Sequence, residues 1–282
     1  MVDANCFSQT RRALVIGLGE QEDNRWGKIN GDKDIPIITE MLLNLGYKES
    51  NIVTLVNEQA TKEGIISAFI SLAKSCKSKD IIYIHFSGHG QRVTDVDGDE
   101  KDGWDESWIP YDAYRDYCSK DRSEKHLIDD EIYQFLSDIK KKVGVNGKIL
   151  VVADACHSGG SSYNYANYSL GDNSPENGIY IKDVVIRGIS IPFNIPYKSV
   201  SKKEKKPEQW LMLSACKSYE FNQELSKPCV GILSYALYLT SKRGKVEMHK
   251  IEDFISKNKG PYPQTPILAG ETGKYNISDV LK

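Results

Sequence analysis

Two side chains stand out in this sequence as able to do chemistry: a histidine and a cysteine, each just past an apolar run and each backed by glycines. His89 lies in Ser87-Gly88-His89-Gly90, directly after Asp80-Ile81-Ile82-Tyr83-Ile84-His85-Phe86. Cys156 lies in Asp154-Ala155-Cys156-His157-Ser158-Gly159-Gly160, directly after Lys148-Ile149-Leu150-Val151-Val152-Ala153. A thiol is mostly protonated at neutral pH and only its thiolate attacks, so a nucleophilic Cys156 needs a base. His89 at a neighbouring strand end would supply one. An oxyanion formed by such an attack needs backbone N–H donors, and the amides of Cys156 and Gly90 are the candidates, glycine allowing close backbone approach. His157 is given no catalytic role, because side chains adjacent in sequence point apart and a nucleophile's partner comes from elsewhere in the fold. Taken singly, a strand-end cysteine reads as a small buried hydrophobe and a lone histidine as a satisfied polar residue. Their pairing at two glycine-backed strand tips favours the functional reading. His85, inside its run, reads as structural, and His126 and His249, among charged residues, read as exposed.

The elements that must bring these residues together are strands alternating with helices, which predicts a mostly parallel sheet covered on both faces. Strands are expected at residues 12–17, 51–56, 80–86, 148–153 and 209–215, with a proline-bearing edge strand at 264–269. Helices are expected at 32–46, 61–76, 129–142, 230–240 and 246–257. A long polar loop separates Gly90 from the acidic helix start Asp129-Asp130-Glu131. An irregular stretch from Gly159 to about Pro207 interrupts the pattern after Cys156, and a loop of that length is uncommon unless functional or disordered. In a parallel sheet the strand C-terminal ends share one edge, where ligands and chemistry collect.

Composition narrows the classes. Hydrophobic residues make up 40% and charged residues 27%, ordinary for a soluble globular chain. A net charge of −2 provides no bulk attraction for nucleic acid or an anionic membrane. The amino terminus lacks the basic start and apolar stretch of a secretory signal, and no apolar run approaches the roughly 18 residues that span a bilayer. The six cysteines are scattered without CxxC pairs, which argues against a disulfide framework or a zinc site. The expectation is a soluble, cytoplasmic protein with neither nucleic acid nor membrane as partner.

These motifs resemble the caspase-like cysteine peptidases, in particular their metacaspase-type branch. The resemblance is carried by Phe86-Ser87-Gly88-His89-Gly90 and Asp154-Ala155-Cys156-His157-Ser158-Gly159. It extends to Asn30-Gly31-Asp32-Lys33-Asp34, to the acidic stretch 97–106 with Pro110-Tyr111-Asp112, and to Leu213-Ser214-Ala215-Cys216. It implies a caspase-like three-layer α/β sandwich formed by the whole chain, 1–282. A large-subunit-like part would cover about 1–160, an insertion 159–207, and a small-subunit-like part 208–282. It also implies peptide-bond hydrolysis through a thioester, with His89 as base and Cys156 as nucleophile, no cofactor in the chemistry, and a monomer. Asp34, Ser87 and Asp154 correspond to the lining of the primary specificity pocket. Two carboxylates in a narrow cleft would select a cationic side chain, arginine being favoured for bidentate pairing, so protein substrates cut after Arg or Lys are expected. The alternatives are a turn-stabilising Asp154 and an exposed helical Asp34.

Calcium enters as a candidate activator through the same resemblance. Asp105, Asp129 and Asp130 match three of the branch's ligands, whereas the fourth position, seven residues beyond the nucleophile, is Tyr163. A solvated loop with a helix-capping Asp pair is the alternative. An EF-hand counted from Asp95 fails, because Glu100 occupies the position that requires glycine. The insertion carries Arg187, Lys198, Lys202, Lys203, Lys205 and Lys206, a solvated basic segment in the plain reading. In an enzyme that prefers basic residues, the same segment is a substrate for itself. The main competing function is a catalytically inactive caspase-like scaffold; an esterase or acyltransferase on the same dyad has no motif of its own.

Overall fold

Seven residues of uninterrupted burial, Ile81–Ser87, mark the centre of the molecule. A strand covered on both faces needs no apolar–polar alternation, and this one shows none. In the computed structural model, which describes residues 9–96, 98, 100, 103–156, 185–188, 192–195 and 208–282, five strands run parallel. They are β1 (Arg11–Gly17), β2 (Ile52–Val56), β3 (Ile81–Ser87), β7 (Lys148–Asp154) and β8 (Leu211–Ser214). The sheet order is β11-β8-β7-β3-β1-β2, with β11 (Ile267–Gly270) the antiparallel edge. Alternate side chains of the central strands feed two cores. Ala13, Val15, Tyr83 and Val152 pack with α1 (Gly31–Asn44), α4 (Ile232–Lys242), α5 (Met248–Asn258) and α6 (Ile277–Val280) on one face. Leu14, Ile16, Ile84, Phe86 and Val151 pack with α2 (Lys62–Ser75) and α3 (Asp129–Val143) on the other. The result is a three-layer α/β sandwich.

Register is what matters for the site. Ser87 at the end of β3 faces Gly17 on one side and Asp154 on the other, and Ala153 faces Ser214. The chain therefore leaves the sheet at His89 and at Cys156 from the same rim.

Three expectations require correction. The polar stretch beyond Gly90 is not simply a loop but contains an antiparallel sheet of β4 (Gly90–Thr94), β5 (Trp104–Trp108) and β6 (Leu127–Ile128). Its strands escape an apolar pattern because polar side chains satisfy its interior: Gln91 donates to Arg115 O at 3.1 Å and Ser107 Oγ to Gln91 O at 2.7 Å. Phe86 stacks on Trp108 at 4.5 Å, fastening this sheet to the end of β3. His126 is fully buried rather than exposed, bonded to Gln91 Oε1 at 3.0 Å and set 4.3 Å from the Phe193 ring. The helix expected from Val230 starts at Ile232, because Val230 belongs to a hairpin of β9 (Glu224–Ser226) and β10 (Cys229–Gly231). His85 and His249 sit as read, the first buried in β3 and the second exposed. Of the insertion, 159–184, 189–191 and 196–207 lie outside the described residues.

Candidate active site

The turns that carry His89 and Cys156 meet at a glycine. A Cβ added to Gly90 would stand 1.9 Å from the carbonyl oxygen of Cys156, so only glycine lets the two strand-end turns close against each other. The His89 ring is fully buried and stacks on Trp26 at 5.0 Å. Its Nε2 lies 2.7 Å from Gly27 O. A carbonyl only accepts, so Nε2 carries the proton and Nδ1 holds the lone pair. That buried Nδ1 has no hydrogen-bond partner among the described residues. Burial lowers the His89 pKa to about 4, leaving the ring neutral and able to accept a proton at physiological pH. Cys156 is buried, and its Sγ accepts the Asn222 N–H at 3.1 Å. The hydrogen bond to Cys156, together with burial, pushes the neighbouring Cys216 thiol well above its usual pKa, so that thiol stays protonated. His157 lies outside the described residues.

Beside the cysteine is a fully buried arginine, Arg187, ringed by acids from three elements. Its Nη1 is 2.8 Å from Asp34 Oδ2 of α1 and 3.5 Å from Asp154 Oδ1 of β7, and its Nε is 2.9 Å from Glu224 Oε1 of β9. Ser87 bonds both the guanidinium and Asp34. Asp34 is thus buried, not the exposed helical residue of the alternative reading. Burial, reinforced by the charge of Asp154, raises the Asp34 pKa to about 6 even though Arg187 opposes it. Burial would also raise Asp154. The Arg187 guanidinium, the Ser234 hydroxyl and N–H, and the Asn222 amide outweigh it and hold that carboxyl below its usual value. Two bonds explain the asymmetry: Ser234 N, in the first turn of α4, donates to Asp154 Oδ2 at 2.8 Å, and Asn222 Nδ2 donates to Oδ1 at 2.7 Å.

Several residues here were not singled out from the sequence. Asn222 links everything: its N–H meets Cys156 Sγ, its side chain holds Asp154, and its carbonyl accepts the Arg187 N–H at 3.0 Å. Glu224 is fixed by Asn30, whose N–H and Nδ2 donate to its two oxygens at 2.7 and 2.5 Å. His85 reaches the pocket indirectly, since its Nε2 is 3.1 Å from Ser234 Oγ, which donates to Asp154 Oδ2. Gly231 opens the space: a Cβ there would lie 2.2 Å from Asp154 Oδ2 and 2.6 Å from Arg187 Nη1. The only local signal for Asn222 and Glu224 is a short polar run between a buried strand and an apolar helix, which is common in any loop.

The acidic loop is organised largely by itself. Asp95 accepts the N–H groups of Gly98 at 2.6 Å and Glu100 at 3.1 Å. Register pairs Ser107 with Ile128, which brings β5, carrying Asp105, alongside the approach to Asp129 and Asp130. Among the described residues, no three His, Cys, Asp or Glu side chains are arranged to share a metal ion. Tyr163, Asp97, Asp99 and Asp102 lie outside them. No catalytic step is drawn through a calcium ion. No helix among the described residues is long and apolar enough to cross a membrane.

A family model described as metacaspase, peptidase C14 domain, matches residues 11–162. Metacaspase-1A of Aspergillus oryzae is 35% identical over 158 residues, covering 53% of this chain and 35% of that protein. Metacaspase-1A of Neurospora crassa is 32% identical over 164 residues, covering 55% and 33%. The chain thus spans about a third of the length of these curated relatives. Among solved structures, protein GSU0716 from Geobacter sulfurreducens superposes with a TM-score of 0.62 at 22% identity, covering 97% of both chains. Caspase-1 from Spodoptera frugiperda does so with a TM-score of 0.58 at 11% identity, covering 93% of this chain and 86% of that one. The sandwich is therefore caspase-like. Arg187, Asn222, Glu224 and Ser234 all lie beyond the stretch that the family model matches.

Proposed function

The chain belongs to the metacaspase family of peptidase C14, and from that membership we propose that it is a cysteine endopeptidase cutting peptide bonds after arginine and, less well, lysine. One observation carries the reading: an arginine side chain held by three buried carboxylates while its own carbonyl oxygen accepts the Cys156 N–H at 2.9 Å. A substrate arginine bound in this way would have its carbonyl polarised where negative charge develops.

The chemistry then follows from the groups present. His89 Nδ1 accepts the thiol proton as Cys156 Sγ attacks the carbonyl carbon. The oxyanion is held by the Cys156 N–H, with the Gly90 N–H as the second donor. Collapse breaks the C–N bond, and His89 returns its proton to the leaving amine. Water, deprotonated by the same imidazole, hydrolyses the thioester. The Gly27 carbonyl and the Trp26 stack keep the ring in the tautomer this sequence requires. Asp34 and Asp154 supply the charge that selects a cation. Glu224 adds discrimination, because it bonds Nε, an atom that lysine lacks.

A fluorogenic peptide panel bearing Arg, Lys or Asp at the cleaved position, with calcium or with chelator, tests this reading. Hydrolysis in the order Arg over Lys, with no cleavage of the Asp peptide, is expected. Turnover of the Asp peptide alone would overturn the pocket assignment, and no turnover under any condition would favour the scaffold. The calcium arm decides whether that ion acts as an activator.

A further inference from the structure

We propose that Tyr83, His85 and Ser234 form a one-way hydrogen-bond relay that ends on Asp154 and positions its charge for a cationic substrate side chain. The proposal rests on the endopeptidase reading above and deepens it, by naming residues behind the pocket that set the pocket's charge. His85, which the sequence alone marks as structural, becomes a positioning residue.

A histidine in the middle of a doubly covered strand is costly unless both ring nitrogens find partners. His85 is fully buried, and its register neighbours on either side are Val15 and Val152. Tyr83, His85 and Ser87 share one face of β3, being alternate residues of a strand. That face packs against α4, where Tyr83 joins the cluster containing Ile232, Leu233, Ala236 and Leu237. Tyr83 Oη lies 2.9 Å from His85 Nδ1, and His85 Nε2 lies 3.1 Å from Ser234 Oγ in the first turn of that helix. Ser87, last on the face, bonds Arg187 and Asp34. The polar side of β3 thus leads straight to the pocket.

The protons can be placed by counting back from the carboxylate. Asp154 is held below its usual pKa, so both its oxygens only accept. Ser234 Oγ has one proton and gives it to Asp154 Oδ2 at 2.5 Å. Towards His85 that hydroxyl must therefore accept, which puts a proton on Nε2. Burial takes the His85 pKa down to about 4, so the ring is neutral and Nδ1 is bare. Nδ1 then accepts from Tyr83, whose hydroxyl is kept protonated by burial that pushes it well above its usual pKa. Every donor points toward Asp154, and each polarises the next. The Tyr83 hydroxyl fixes the far end. Without it the ring is free to carry its proton on Nδ1, and Ser234 is free to turn its own proton from the carboxylate to a bare Nε2. The other charged or titratable groups facing Asp154 are Arg187, Asp34 and Cys216, with Glu224 on the same guanidinium.

The full chain, isotope-labelled at histidine nitrogens and aspartate carboxyl carbons, should be compared by NMR with Tyr83→Phe, His85→Leu, His85→Gln and Ser234→Ala. An arginine reporter peptide is assayed alongside. The wild-type His85 ring should carry its proton on Nε2, and the Nδ1-protonated form should appear in Tyr83→Phe. The Asp154 carboxyl, identified by its loss in Asp154→Asn, should titrate at higher pH in Tyr83→Phe, His85→Leu and Ser234→Ala, because each removes a support for the charged form. KM for the reporter should rise about three- to tenfold in those variants, the worth of one net hydrogen bond, with kcat within about twofold. His85→Gln, which offers Ser234 an amide N–H and Tyr83 an amide oxygen, should restore most of both properties. A wild-type ring protonated at Nδ1, or an Asp154 titration that stays put in Tyr83→Phe, would overturn the relay. That variant loses a single hydroxyl, so it decides the matter even if His85→Leu does not fold. A shifted titration with KM unchanged, or a fall in kcat alone, would overturn the relay's part in substrate selection. No hydrolysis of the reporter by any form would refute the endopeptidase reading, and the two NMR measurements would still decide the relay.

Discussion

Asp34 and Asp154 face the same guanidinium, yet their environments push them apart. Asp154 has the α4 amide, Ser234 and Asn222 to stabilise its charge, whereas Asp34 is raised to about 6 by burial and its neighbour. A carboxyl whose pKa is raised loses its charge as pH falls through that value. Hydrolysis of arginine peptides should therefore fall off below about pH 6, well before His89 protonates near 4. A pH profile of kcat/KM on an arginine reporter peptide checks this, and Asp34→Asn should lower the plateau and remove that limb. An acid limb near 4 would instead assign the titration to His89. Glu224→Gln should reduce the Arg-to-Lys preference by roughly tenfold or more, as expected for a charge-assisted hydrogen bond of about 1.5–3 kcal/mol. Cys156→Ala and His89→Ala should each abolish turnover without altering the fold, and the double variant should be no worse than either alone, because the pair acts as a unit. The two site residues themselves were legible because a thiol and an imidazole in glycine turns are a local pattern. Asn222, Glu224 and Ser234 were not, since amides, acids and hydroxyls in loops and helix starts carry no local mark of the partner they meet.

At the level of elements, the apolar runs that form β1, β3, β7 and β8 announce themselves because doubly covered strands are continuously hydrophobic, and β2 at the sheet's edge by its run of β-branched residues. The β4–β6 sheet, whose interior is closed by side-chain hydrogen bonds rather than by apolar alternation, and the β9–β10 hairpin, whose strands are three residues each, do not. Yet the hairpin supplies Glu224 at one end and Gly231 at the other, and Gly231 N donates to Asp34 Oδ1 at 2.9 Å. Gly231→Ala should therefore raise KM for arginine peptides, because its methyl would occupy the guanidinium's place, while thermal unfolding shifts by an overpacking cost of about 1–3 kcal/mol. A KM unchanged from wild type would show that the hairpin end does not border the pocket in the working enzyme.

Across the whole molecule, one buried cation meets three buried acids drawn from α1, β7 and β9. Removing one partner from a buried ion cluster typically costs about 3–5 kcal/mol, so Arg187→Ala should lose stability of that order at pH 7. The loss should shrink as pH falls toward about 6, because without the guanidinium that lowers its pKa Asp34 takes up a proton at higher pH than in the wild type. Denaturant unfolding at the two pH values measures this, and an equal loss at both would place the stabilisation in packing rather than charge.

The amino-acid sequence alone determined that a thiol and an imidazole stand at strand ends on one rim of a parallel sheet, because apolar runs, glycine turns and helix starts are local properties of the chain. Tertiary structure alone decided which of several basic residues in the insertion meets the acids, and which acids those are. The guanidinium's partners are far apart in sequence and converge only when two cores close over the sheet, and a charge far from its partner leaves no periodicity to read.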